Sequence, residues 1–146
     1  MNKHVKVDSP SIQAHLSILQ SIIQRMSSNS ASVKAWCVSL VSAVLVVVID
    51  KGKNNCTLIA FFPILLFFAL DAYYLALEKG FRGSYDKFIK KLHKEKLVSE
   101  DLFAVSPEGN TFKLFIHSLG SFAIFPFYTT LGAMVFLTNY LVTHNA

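Results

Sequence analysis

Asp71, Tyr74 and Glu78 are the residues of this sequence whose types and spacing suit chemistry in an apolar setting. Asp71 stands inside Cys56 to Leu77, a block that is otherwise uncharged and mostly apolar. An ionised carboxylate near a bilayer centre costs roughly 2.5–3.5 kcal/mol even on insertion-based scales, so it turns toward protein or water and away from lipid. Spacings of three and four put the three residues on one helix face. Repeated around a symmetric oligomer, that face would form a ring of negative charge selecting cations, which makes Asp71, Tyr74 and Glu78 the expected ion path. Two plainer readings compete. Asp71 lies only six residues before Leu77, close enough for headgroups to hydrate it, or it pairs structurally with a lysine or tyrosine.

A second cluster is cationic. Lys87, Lys90, Lys91 and Lys94 recur at about one helical turn, with Phe81, Arg82 and Tyr85 just before them. Together with Arg25 and Lys34 they are candidate ligands for a phosphate backbone, the aromatics offering faces on which bases stack. The plainer reading is that the lysines anchor to anionic headgroups and enforce topology, and Asp86 and Glu95 interrupt the patch. Catalysis has little to stand on. His4, His15, His93, His117 and His144 are dispersed without metal-ligand spacing, and there is no nucleophile elbow or phosphate-cradling glycine loop. No enzyme, metal or cofactor is expected, and Cys37 and Cys56 are expected too far apart for a disulfide.

The elements that must hold these residues are legible from hydropathy. With 53% hydrophobic and 16% charged residues, the apolar content is concentrated in Ala35–Ile49, Cys56–Leu77 and Phe122–Val142. These lengths approach or meet the roughly 20 residues needed to cross a ~30 Å hydrocarbon core. The expected fold is an all-α membrane protein of three transmembrane helices with amphipathic N-terminal and middle cytoplasmic helices. Its segments are an N-terminal helix (1–32), a transmembrane hairpin (33–77), a basic cytoplasmic segment (78–113), and an approach helix with the third span (114–146). Twelve Lys or Arg fall on the N-terminal and middle-segment side against two on the other. The positive-inside rule then predicts a multi-pass protein with its N-terminus cytoplasmic. The polar first thirty residues predict no cleavable signal peptide.

Ser9-Pro10-Ser11 predicts a helix start, after which Ile12, Leu16, Leu19, Ile23 and Met26 form a narrow apolar seam. This seam suits a partner subunit (Leu16, Leu19, Ile23) or the protein's own cytoplasmic segment. Ala35, Ser39 and Ala43 add a small-residue stripe for close helix approach between copies. Ser84 is expected to cap a separate basic helix running to about Leu97. Pro63, Pro126 and Gly132 are expected to kink or flex their spans. Ser39, Ser42, Thr129, Thr130 and Thr138 either line a path or bond their own helix backbone.

Leu19-Gln-Ser-Ile-Ile-Gln-Arg-Met-Ser-Ser-Asn-Ser30, Lys34-Ala-Trp-Cys37, Asp71-Ala-Tyr-Tyr-Leu-Ala-Leu-Glu78 and Phe81-Arg82 together resemble a family of small bacterial anti-phage defence membrane effectors, the Hailong HalA-type channels. The resemblance covers roughly the first 85 residues. It implies an oligomeric cation channel of the bacterial inner membrane that drives abortive infection and is gated by a single-stranded DNA oligomer made by a partner nucleotidyltransferase. An assembly of four or more copies in the lipid bilayer is expected, because three helices enclose no useful pore. The alternative is a membrane-anchored adaptor recruiting a cytosolic protein through the N-terminal helix.

Overall fold

The computed structural model describes residues 9–51 and 58–144 and is all-helical, with no strand among them. Helix α1 runs from Pro10 to Lys51, α2 from Phe61 to His93, α3 from Thr111 to Leu119 and α4 from Phe125 to His144. Helices α1, α2 and α4 are long and apolar enough to cross a membrane. Cys56 and most of the predicted hairpin loop lie outside the described residues.

The start predicted at Ser9-Pro10-Ser11 is where α1 begins. Ser9 accepts the Ile12 N–H at its carbonyl (3.0 Å) and the Ser11 N–H at its Oγ (3.3 Å), and proline suits the first helical position because its missing N–H is one the helix cannot use. No break then separates an N-terminal helix from the first span. The polar stretch Ser27–Ser32 contains no proline or glycine, so a single 42-residue helix continues for about 63 Å. The same correction applies to α2. Instead of a new helix capped by Ser84, α2 continues to His93, and the Ser84 hydroxyl donates to the carbonyls of Gly80 (3.2 Å) and Ser106. Pro63 and Pro126 sit in the first turns of α2 and α4, where proline starts a helix more readily than it bends one. The Oγ atoms of Ser39, Thr129 and Thr138 bond their own helix backbone.

Helices α1 and α2 pair antiparallel, His15 lying on Phe88 and Lys34 against Asp71. On α1 the buried residues Ile12, Leu19, Met26 and Val33 recur every seven positions and are followed by Cys37, Val41 and Val48, the a-position repeat of a coiled-coil seam. Helix α2 and its N-cap answer with Ala60, Ile64, Ala72, Ala76 and Gly80 at multiples of four, all but Ile64 small enough to let helix backbones approach. Tyr128 of α4 closes the larger core, its hydroxyl donating to the Phe67 carbonyl at 3.2 Å. A second, smaller core of Ile12, Phe88 and Leu97, with Leu16, Leu92 and Leu102 around it, forms a head at the far end of the α1–α2 stalk.

Residues 104–109 run over α2 as a strap. The Glu108 N–H donates to the Gly80 carbonyl (3.0 Å), and Lys87 pairs with the Glu108 carboxylate (2.9 Å). Gly80 is required by this crossing, because a Cβ there would stand 2.7 Å from Pro107 Cβ, a rigid ring atom. Gly80→Ala is therefore expected to lower stability by about 1–2 kcal/mol, overpacking outweighing the better helix propensity of alanine. Gly120→Ala, with open space at its Cβ, is expected to be neutral, and thermal unfolding of the two variants in detergent checks the contrast.

Candidate functional site

Asp71 is fully buried on the α2 face that meets α1. Four residues apart on α1, Ser30 and Lys34 reach it together, because the i,i+4 spacing stacks them on one face. Ser30 Oγ donates to Asp71 Oδ1, Lys34 Nζ donates to Ser30 Oγ at 3.0 Å, and Lys34 Nζ forms an ion pair with Asp71 Oδ2. That oxygen faces the ammonium as a charge but receives no well-aligned hydrogen bond. The lysine side chain keeps 23% of its surface exposed, against none for the aspartate. The cluster is thus a buried carboxylate held by a lysine whose stem leads outward.

The three residues of the predicted ion path do not share one environment. Asp71 turns onto α1, Tyr74 is half-buried beside Tyr73, and Glu78 binds Arg82 one turn along, its Oε1 accepting from Nε at 2.9 Å. The cationic residues are divided in the same way. Lys34 is taken by Asp71, Arg82 by Glu78, Lys87 by Glu108 and Lys91 by Asp101, whereas no ion pair is recorded for Arg25, Lys90 or Lys94 among the described residues.

Of the residues predicted to join copies, Leu19 is buried within this single chain and Leu16 and Ile23 are half-buried, so the N-terminal seam is largely used by the protein's own packing. Ala35, Ser39 and Ala43 remain exposed on α1. Sequence reasoning missed Ser30 as a partner of Asp71 and placed Lys34 on a nucleic-acid surface. The available signal was positional, since Lys34 and Asp71 both stand near the inner ends of apolar blocks joined by a short loop.

No family model, curated protein or solved structure matches the chain.

Removing one partner of a buried pair leaves an uncompensated charge, whereas replacing both with apolar groups is often neutral. Lys34→Met alone is expected to cost about 3–5 kcal/mol. The double variant Lys34→Met/Asp71→Leu is expected to recover most of that loss. Thermal stability across the double-mutant cycle measures the coupling.

Proposed function

We propose that the chain is a subunit of an oligomeric, cation-conducting membrane effector that is closed in the state described, with the Lys34–Asp71 pair as its latch. The observation that carries this reading is the pair itself. A buried ion pair is a weak stabiliser compared with packed apolar side chains, and an ionisable residue inside a span marks an ion or proton pathway more often than a structural need. Helices α1 and α2 extend unbroken from the head past this pair, so a change at the head can be delivered to it as a shift of one helix against the other. Assembly uses the exposed Ala35, Ser39 and Ala43 face. The sequence resemblance supplies the trigger, a single-stranded DNA oligomer, for which the exposed Lys90 and Lys94, with Arg25 further along the stalk, are the cations at hand.

The anchored adaptor is the second reading, and two observations favour it. Asp71 is satisfied within its own protomer, and the head carries an open groove lined by Gln20, Ile23, Gln24, Arg82, Tyr85 and Asp86 where a cytosolic protein can dock. Since Leu19 is buried, the partner would meet this groove and not the seam.

Recording from purified protein in planar bilayers separates the two. The channel reading expects cation-selective current from Lys34→Met, no current from Lys34→Met/Asp71→Asn, and loss of any DNA effect on reversing the charges of Arg25, Lys90 and Lys94. Silence from demonstrably inserted oligomer of wild type and Lys34→Met alike would overturn it in favour of the adaptor.

A further inference from the structure

The head is fastened by a second buried polar residue, which the site above does not use. His15 is 2% exposed and lies between Ile12 and Leu19 on the α1 seam. Its Nδ1 accepts the backbone N–H of Phe103 at 2.9 Å, so that nitrogen carries no proton. The imidazole lies on the Phe88 ring of α2 with centroids 4.3 Å apart, and the Phe103 ring meets it edge-on at 6.3 Å. Phe103 itself has φ +63°, a left-handed conformation that is strained for a bulky residue and persists only where its surroundings hold it. One hydrogen bond thus ties the start of α1 to a strained turn 88 residues away in sequence.

Every element around the ring supplies its charges in pairs. Helix α1 has no charged residue between Pro10 and Gln24. Lys87 and Lys91 of α2, Asp101 of the short 3-10 turn Ser99–Asp101 and Glu108 of the strap line the same cavity of about 180 Å³ as His15. Lys91 holds Asp101 at 2.7 Å and Lys87 holds Glu108 at 2.9 Å, so no carboxylate is committed to His15.

We propose that His15 is a proton-sensitive clasp, whose protonation at Nδ1 replaces an acceptor with a donor facing the Phe103 N–H and releases the turn around Phe103 from α1. The direction of the pH effect follows from burial. Desolvation holds His15 below its ordinary pKa of 6.5, with Asp101 opposing in part, so the neutral ring is the form bound in the folded head. The clasp is complete above the pKa of a free imidazole and is lost as pH falls through the lower value of His15. Asp101 stays ionised across that window, because the hydrogen bond from Lys91 keeps its carboxyl below the usual range. The inference stands on the head alone and holds under either functional reading.

Hydrogen exchange of the full chain in lipid nanodiscs tests it, with rates corrected for the intrinsic effect of pH. Protection of the Phe103 amide is expected to fall between pH 7.5 and pH 5, since opening takes up the proton that burial keeps off His15 in the closed head. His15→Asn presents an acceptor that does not titrate, and its protection is expected to be equal at the two pH values. Unchanged protection in the wild type, or an equal fall in His15→Asn, would overturn the clasp. If His15→Asn does not fold, the ¹⁵N resonances of the wild-type His15 ring decide. Nδ1 protonation coinciding with loss of Phe103 protection supports the proposal, and a ring that titrates while Phe103 stays protected refutes it.

Discussion

A carboxylate in an apolar helix must find a cation, find water or give up its charge, and the answer at Asp71 organises the apolar half of this protein. Satisfying it within one protomer requires Lys34 and Ser30 to face α2 at the level of Asp71. That requirement fixes the rotation of α1 and its register against α2 together. Once both are fixed, the heptad positions Ile12, Leu19, Met26 and Val33 fall on the buried seam, and the small residues Ala72, Ala76 and Gly80 fall opposite. A slip of one residue along α1 would turn Ser30 and Lys34 away from the carboxylate and expose the seam. Specification of register is the best-attested use of a buried charge.

Continuity is the second organising feature. Because neither α1 nor α2 breaks where its apolar block ends, the larger core and the head share the same two rods. Each part has its own core and its own polar tie, Asp71 with Lys34 midway along the rods and His15 with the Phe103 turn at the head. The strap between them adds backbone contact at Gly80 and an ion pair at Lys87. Relative motion of α1 and α2 moves Lys34 against Asp71 and the His15 ring against Phe88 together, which is a physical route by which an event at the head is felt at Asp71.

The sequence by itself determined the helical class, the three apolar helices and the helix start at Ser9-Pro10, because hydropathy and capping are local properties read within a few turns. It also singled out Asp71, since an isolated charge among apolar residues is visible without knowing any neighbour. Tertiary structure decided everything that depends on which faces meet. Leu19, expected to join copies, is consumed by the head, and four of the seven cations assigned to a nucleic-acid surface are paired with carboxylates, Lys34 with Asp71 among them. The break expected at Ser84 is absent, because a capping residue signals a helix start only where the preceding turn cannot continue, and here the strap packs on Gly80 and Gly83 and leaves the helix whole. Local chemistry names the residues that can act, whereas pairing across the 41 residues from Ser30 to Asp71 is set by helix rotation and register, which no local pattern encodes.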